Sequence, residues 1–275
     1  MVIDAHQHFW YYDPDRDTWI DDSMQAIRRD YLPGELKEIY RKNGFDGSVA
    51  VQAPPTSEET RFLLDLSSRE SFIKAVVGWI DFDDPAFQEI LEEYSQEEKL
   101  AGFRHILQIE EPEYMLRDEF LQGIGALKRF DFTYDILIYP RHLNAAIELS
   151  RLFPEQTFVV DHLAKPPITS GELSPWRERI RLLAEAENVF CKVSGMVTEA
   201  DWNHWKPEDF TPYLDTVFEA FGTRRLMFGS DWPVCLLAGS FEQVTGLVKT
   251  YLKNFTETEK RAVFGENAAQ FYRIE

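Results

Sequence analysis

Short apolar segments alternate with amphipathic segments along the chain, and this alternation limits the folds open to it. Apolar runs of strand length are each followed by a stretch that begins with Ser, Asp or Pro and repeats apolar residues at helical spacing. Strands are expected at residues 2–8, 47–52, 74–80, 100–106, 134–138, 157–162, 189–194 and 226–231. Helices are expected at residues 33–43, 58–69 (with Ser57 as its cap), 83–96, 117–129, 142–152, 174–187, 207–221 and 240–252, followed by shorter helical pieces near 256–264 and 267–273.

Strands that alternate with helices are expected to run parallel. Eight such units in 275 residues, with no linker between them, predict an α/β fold in which residues 1–275 form one closed (β/α)₈ TIM barrel. The main alternative is an open, doubly wound sheet. No GxGxxG segment follows the first strand, so the nucleotide-binding form of that alternative lacks its signature.

Bulk composition narrows the classes of partner. The chain carries 29 Lys and Arg against 48 Asp and Glu, a formal net charge of −19, which disfavours nucleic acid and anionic membranes as partners. No apolar run approaches the length of a membrane span, and no signal-peptide pattern opens the sequence. Its 2 cysteines form no CxxC pair, which fits a reducing compartment. We therefore expect a cytoplasmic protein with a small-molecule partner, and a homo-oligomer is compatible with the sequence.

Chemistry-bearing residues collect where the predicted strands end, which is where barrel enzymes place their active sites. His6 and His8 share one side of the first strand, since alternate side chains of a strand point the same way. The other strand ends contribute Gln52, Arg104, His105, His162, Lys192 or Ser194, and Asp231. Alternation lets only one of Arg104 and His105, and one of Asp161 and His162, point inward. The remaining histidines, His142 and His204, are expected at the surface.

An aromatic-rich connection of residues 9–32 follows His8 and contains Trp10 and Trp19. A connection this long could be a binding loop that covers a sugar-like ligand, or a loop that its own aromatics hold to the surface. Trp232, beside Asp231, is assigned to substrate binding together with Trp10 and Trp19. Lys165 could bind a carboxylate or hydroxyl group, or simply be solvated.

Six segments in order resemble one family. They are DAHQHFW, VQAPPTSEETRFLL, VVGWIDF, GFRHILQ, VVDHLAKP and LMFGSDWP. They are similar to the amidohydrolase-2 branch of the amidohydrolase superfamily, and within it to the sugar-acid lactonases that act on L-fucono- and L-rhamnono-lactones. The resemblance runs from residue 2 to about residue 273 and implies a barrel of the metal-dependent-hydrolase type.

The resemblance also implies roles for individual residues. His6 and His8 match the first-strand HxH, His162 the strand-six histidine and Asp231 the strand-eight aspartate, so that His6, His8 and Asp231 are candidate metal ligands. Many members of the superfamily hold two metals through further ligands from strands four and five. Strand four offers Arg104 and His105 here, and strand five ends in Ile138, Tyr139 and Pro140. We therefore expect one divalent metal, zinc, or none.

The expected activity is hydrolysis of a small lactone. Asp231 is the candidate base for water and the acid for the leaving alkoxide, while Arg104, His162 or a zinc ion polarises the carbonyl. Gln52, His105 and Lys165 are the candidate substrate contacts. The alternatives are a dicarboxylate-lactone hydrolase, a non-oxidative decarboxylase, or a barrel that binds a sugar acid without turnover. The GSDW segment does not match the GxSxG nucleophile pattern, so no competing serine system is expected.

Overall fold

The computed structural model describes all 275 residues and confirms the barrel. Eight strands form one sheet in sequential order, and every neighbouring pair is parallel. The strands are β1 (Ile3–Gln7), β2 (Gly47–Val51), β3 (Ile73–Gly78), β4 (Leu100–Ile106), β5 (Thr133–Leu137), β6 (Phe158–Val160), β7 (Val189–Val193) and β8 (Leu226–Phe228). β6 and β8 end earlier than predicted because the chain turns away from the ladder at their polar ends.

A helix follows each strand, as predicted. The helices are α1 (Pro33–Asn43), α2 (Ser57–Arg69), α3 (Phe87–Tyr94), α4 (Asp118–Leu127), α5 (Leu143–Leu152), α6 (Trp176–Ala184), α7 (Pro207–Phe221) and α8 (Phe241–Tyr251), with α9 (Glu257–Arg261) and α10 (Asn267–Tyr272) at the end. The cap of α2 differs from the prediction: the Thr56 side chain, one residue before Ser57, accepts the hydrogen bond from the Glu59 amide. None of these helices is both long and apolar enough to cross a membrane.

The barrel closes through the segment after β8. The Asp231 amide donates a 2.8 Å hydrogen bond to the His6 carbonyl oxygen, and the His8 amide donates one of 2.7 Å to the Trp232 carbonyl oxygen. A parallel bridge between Gln7 and Trp232 completes the contact. These backbone bonds form a closing seam between residues 6–8 and 231–232, and they bring the HxH motif beside Asp231.

Two apolar layers support the barrel. The larger packs between the strands and the surrounding helices. The smaller fills the interior with side chains from six strands and is covered by α10; it consists of Ile3, Ala5, Val49, Val51, Ala75, Val77, Ala101, Val159, Met227, Ala268, Phe271 and Tyr272. Because α10 covers the end where the strands begin, the polar strand ends face the open mouth of the barrel.

Candidate active site

His6, His8 and Asp231 meet at the mouth of the barrel. The two histidine Nε2 atoms lie 3.2 Å apart, and Asp231 Oδ1 lies 3.5 Å from His8 Nε2 and 3.9 Å from His6 Nε2. His8 Nδ1 is 2.7 Å from the Val51 carbonyl oxygen, an acceptor, so Nδ1 carries the proton and the Nε2 lone pair faces the other two groups. All three side chains are buried. The predicted cluster therefore forms.

A bulge in β1 helps to aim these histidines. Three steps along β1, from Asp4 to Gln7, match only two along β2, from Ser48 to Ala50. An extra residue of this kind bends the strand and redirects its side chains, and such bulges are common beside active sites. The alternation rule correctly placed His6 and His8 on one side, but it gave no sign of the bulge.

Asp4 links β1 to Ser230, the residue just before the closing seam. Its carboxylate accepts hydrogen bonds from the Ser230 amide at 2.8 Å, from the Ser230 hydroxyl and from the Tyr40 hydroxyl at 2.8 Å. The next residue, Asp231, has a left-handed backbone with φ of 57°. Asp is one of the few residues that accept this conformation. Burial raises the pKa of Asp4 to about 6 despite these donors.

Asp161 and His162 both reach the site, so the prediction that only one could point inward is wrong. The strand ends at Val160, and strand alternation does not apply beyond it. The backbone then takes positive φ angles of 52°, 56°, 57° and 48° at residues 162, 163, 164 and 165. We call this segment the left-handed turn. It costs free energy at each residue, and it redirects His162 into the mouth.

Gly195 lets His162 occupy its place. Gly195 has φ of 58°, and a Cβ at this position would lie 2.4 Å from His162 Nδ1. That nitrogen is 2.8 Å from the Ser194 hydroxyl, while His162 Nε2 is 4.0 Å from Asp231 Oδ1. Three imidazole rings therefore surround one carboxylate.

Of the two strand-four alternatives, Arg104 points into the barrel. Its Nη1 lies 3.2 Å from Asp161 Oδ2 and 3.3 Å from His6 Nε2, and its Nη2 donates to the Gln52 carbonyl oxygen. The Gln52 side-chain amide in turn donates to the Arg104 carbonyl oxygen at 3.1 Å. Both residues are buried, so Arg104 and Gln52 form the wall of the cluster.

Lys192 lies deeper in the barrel and is completely buried. Its ammonium group donates to Asp135 and lies 3.1 Å from both His6 Nδ1 and Asp161 Oδ1. Asp135 also accepts a 2.8 Å hydrogen bond from the Tyr272 hydroxyl of α10. Of the two strand-seven candidates, Lys192 therefore contacts His6 and Ser194 contacts His162.

Burial and charge set the protonation states of the cluster. Burial opposes ionisation of Asp231, but attraction to the His162 and His6 rings in their protonated forms holds the pKa of Asp231 well below its usual value. Burial lowers the pKa of His162 to about 4 and that of His6 well below its usual value, with the Lys192 charge adding to the shift on His6. At neutral pH the Asp231 carboxylate therefore faces the neutral rings of His6 and His162.

The three ligand atoms suit a metal ion. Zinc–nitrogen bonds of about 2.0–2.1 Å place tetrahedral ligands roughly 3.3 Å apart. The separations of 3.2, 3.5 and 3.9 Å among His6 Nε2, His8 Nε2 and Asp231 Oδ1 are close to that figure. The Val51 carbonyl oxygen holds His8 in the tautomer that a metal requires. His6, His8 and Asp231 thus fit one divalent ion.

Only some of the residues predicted to bind substrate lie at the mouth of the barrel. Lys165, at the end of the left-handed turn, pairs with Glu199 at 2.7 Å. Burial would lower the pKa of Lys165, but the charges of Glu199 and Asp231 raise it. Lys165 therefore stays charged at the mouth, near Asp231. Its partner Glu199 carries no sequence signal that would have identified it.

The predicted tryptophans lie mainly in the core. Trp10 and Trp232 are buried, and both make edge-to-face contacts with Tyr31, at 5.6 Å and 5.1 Å between ring centroids. Trp19 packs against Trp10 and keeps 44% of its surface exposed. The structure therefore favours a loop held by its own aromatics, in which Trp19 stays partly exposed.

His105 lies away from the cluster, because alternation along β4 turns it opposite to Arg104. Its Nδ1 accepts from Trp79 at 3.3 Å, its Nε2 lies 3.3 Å from Glu110 Oε1, and its ring stacks on Tyr114. His105 is thus held under the loop that follows β4.

One histidine predicted at the surface is buried. His142 is completely buried. Its polar ring is satisfied there, because it accepts a hydrogen bond from the Tyr139 amide at 3.2 Å and lies 3.0 Å from the Glu110 carbonyl oxygen. His204 is exposed, as predicted.

The sequence interpretation missed Asp4, Asp135 and Glu59. Asp135 interrupts an otherwise apolar strand, which was a usable signal. Glu59 reads as a helix-surface residue, yet it is buried and accepts a 3.1 Å hydrogen bond from the Ala53 amide.

Comparison with known proteins gives a consistent result. The family model described as "Amidohydrolase" (Amidohydro_2) matches residues 3–274. The chain is 39% identical to proteins named L-fucono-1,5-lactonase from Burkholderia multivorans and from Burkholderia ambifaria, covering 100% and 99% of this chain and 96% of each relative. A crystal structure of an amidohydrolase from Burkholderia multivorans with bound zinc superposes with a TM-score of 0.97 at 38% identity, over 100% of both chains.

The barrel, the clustered strand ends and the match over almost the whole length agree. The chain is a member of the amidohydrolase-2 family.

Proposed function

We propose that the protein hydrolyses a sugar aldonolactone, of the L-fuconolactone or L-rhamnonolactone type, to the open-chain acid. The observation that carries this proposal is the ionised Asp231 carboxylate, set among three imidazoles at the mouth of the barrel. The two relatives named L-fucono-1,5-lactonase, 39% identical over almost their whole length, support the choice of substrate.

Asp231 is the proposed general base. Lactone hydrolysis adds water to the ring carbonyl, with loss of a proton from the water, and then expels the ring oxygen as an alcohol. Asp231 is ionised and can take that proton, then return it to the departing ring oxygen. An alcohol leaves more easily than an amine, so one carboxylate can serve both steps.

His162 is the proposed donor to the carbonyl oxygen. If the Ser194 hydroxyl donates to His162 Nδ1, 2.8 Å away, the ring proton lies on Nε2, which faces Asp231. A neutral Nε2–H can donate a hydrogen bond to the oxygen as negative charge develops there. Arg104, fixed beneath by Asp161 and Gln52, adds positive charge to that side of the site.

His6, His8 and Asp231 would hold the single divalent ion, for which we propose zinc. When bound, zinc supplies a Lewis acid that polarises the lactone carbonyl. The zinc-bound Burkholderia multivorans amidohydrolase, 38% identical over its whole length, supports this choice.

A dicarboxylate lactone fits the site less well. Binding two carboxylates would need free cations at the mouth, but Arg104 is paired with Asp161 and Lys165 with Glu199. A polar sugar ring needs partners for its hydroxyl groups instead, and the Lys165–Glu199 pair offers both a donor and an acceptor.

We further propose a cytoplasmic location, which the two free, buried cysteines support.

The test is a proton-release assay with L-fucono-lactone, L-rhamnono-lactone and 2-pyrone-4,6-dicarboxylate, with zinc supplied or with a chelator. We expect the highest kcat/KM for one of the sugar lactones. A preference for the pyrone dicarboxylate would favour the alternative hydrolase. Binding of sugar acids without any lactone turnover, with zinc present, would overturn the proposal and leave a binding protein.

A further inference from the structure

A buried cation lies directly beneath the proposed metal ligands. Three atoms of the kinds that bind divalent metals surround the Lys192 ammonium group: an oxygen of Asp135, Oδ1 of Asp161 at 3.1 Å and Nδ1 of His6 at 3.1 Å. All of these side chains are fully buried. The proposed mechanism gives Lys192 no task, so its place in the site needs a separate explanation.

The side chains beside Lys192 are of the kinds that could form a second metal site. His6, Asp161 and His162 form a group that could hold an ion, and this group shares His6 with the group formed by His6, His8 and Asp231. Asp161 Oδ1 is buried and has no hydrogen-bond donor, although the Lys192 ammonium lies 3.1 Å away. Charge rather than a directed hydrogen bond therefore holds that oxygen.

The charges beneath the site are already balanced. Asp135 and Asp161 bring two negative charges, and Lys192 and Arg104 bring two positive ones within contact of them. Buried carboxylates need such compensation, because an unpaired charge in the interior is costly. An additional divalent ion at Asp161 would lie against both cations and be repelled.

We propose that Lys192 is a positioning residue whose ammonium group takes the place of a second metal ion, and that it limits the site to one ion at His6, His8 and Asp231. The ammonium contacts His6 from below and closes the Asp161 corner to metals.

The contact also places His6 between two cations in the metal-free protein. An ammonium group can only donate, so His6 Nδ1 accepts from Lys192. Arg104 Nη1, which also can only donate, lies 3.3 Å from the other ring nitrogen, Nε2. Each nitrogen of the His6 ring therefore faces a buried cation. His8 in turn donates from Nδ1 to the Val51 carbonyl oxygen.

The first test measures zinc binding by calorimetry and elemental analysis in an Asp231→Asn background, which removes one ligand from the group formed by His6, His8 and Asp231. We expect Lys192→Gln with Asp231→Asn to bind one zinc per chain at least tenfold more tightly than Asp231→Asn alone. The matched control, Lys192→Arg with Asp231→Asn, keeps a cation and is expected to gain no zinc. Equal zinc binding with and without Lys192→Gln would overturn the proposal.

Lys192→Gln should lower the stability, because Asp135 loses its cation, but the fold should survive, since Asp161 keeps Arg104 and Asp135 keeps the Tyr272 hydroxyl. Circular dichroism would verify it. A second test needs no change at Lys192: zinc titration of the metal-free wild-type protein, followed by calorimetry, should saturate at one ion per chain. Binding of a second ion at His6, Asp161 and His162 would overturn the proposal.

Discussion

The main-chain amide of Asp231 donates a 2.8 Å hydrogen bond to the carbonyl oxygen of His6. This bond joins the segment after the last strand to the first strand, so it closes the barrel and positions the base against the HxH motif at the same time. Barrel closure and site assembly are thus one structural event.

Asp231→Asn should abolish lactone hydrolysis without unfolding the protein. Asn tolerates the left-handed backbone at this position, where φ is 57°. Loss of a general base lowers rates by about 10²–10⁴-fold, so we expect kcat/KM to fall by that amount in the proton-release assay, with an unchanged far-ultraviolet spectrum. Turnover near that of the wild type would remove Asp231 from the mechanism.

Gly195→Ala should impair catalysis by displacing His162. The added Cβ would lie 2.4 Å from His162 Nδ1. A shift of about 1 Å in a catalytic group can cost roughly 10²-fold in rate. We expect kcat to fall by that order in steady-state kinetics.

Gly171→Ala is the matched control for this change. Gly171 has a similar φ of 71°, but its Cβ would meet nothing within 4 Å. Both variants should lose about 1–2 kcal/mol of stability from the left-handed backbone, while only Gly195→Ala loses activity. Equal kcat values in the two variants would show that the position of His162 is not critical.

His8→Asn should weaken zinc binding by more than the roughly 10–100-fold that loss of an outer-shell partner costs, because it removes a direct ligand. His204→Asn, at a side chain that is 80% exposed, should leave the affinity unchanged. Calorimetric titration of the metal-free proteins measures both. Wild-type protein that retains two zinc ions per chain after dialysis would contradict the one-metal site.

Glu59→Gln should stabilise the protein at alkaline pH. Burial raises the pKa of Glu59 from 4.5 to about 7. The native state therefore favours the protonated form, and this contribution to stability is complete below pH 4.5 and is lost as the pH rises through 7. The shift corresponds to about 3 kcal/mol. Gln is neutral at every pH, so the variant should avoid that loss.

Urea unfolding at pH 5 and pH 8 would measure the difference between Glu59→Gln and the wild type, which should grow with pH. Glu58→Gln, at the exposed neighbouring position, is the control and should show no such trend. A pH-independent difference for Glu59→Gln would mean that Glu59 is already ionised in the native protein at pH 5.

The barrel and the central residues of the site were predictable because they follow from simple periodicity. Alternation of strand and helix gave the topology, and the strand ends gave His6, His8 and Asp231. Periodicity left Arg104 and His105 as alternatives, and only the family resemblance favoured Arg104. The tryptophans were less predictable, since an aromatic residue near a strand end can face either a ligand or the core. Trp232 lies in the core because Tyr31 of the long connection packs against it.

The errors arise where the backbone leaves regular geometry. The left-handed turn after Val160 brings both Asp161 and His162 inward, which no alternation rule allows. Asp4 was missed because its partners, Ser230 and Tyr40, are distant in sequence and meet it only when the barrel closes.

The closing seam makes activity a sensitive reporter of local unfolding. The HxH motif and Asp231 are held together by hydrogen bonds at one joint, while each of the seven other strand pairings has at least three residue pairs in register. Local opening at such a joint costs less free energy than global unfolding. On gentle heating or at low denaturant, we therefore expect hydrolysis to disappear while the secondary-structure signal is still native.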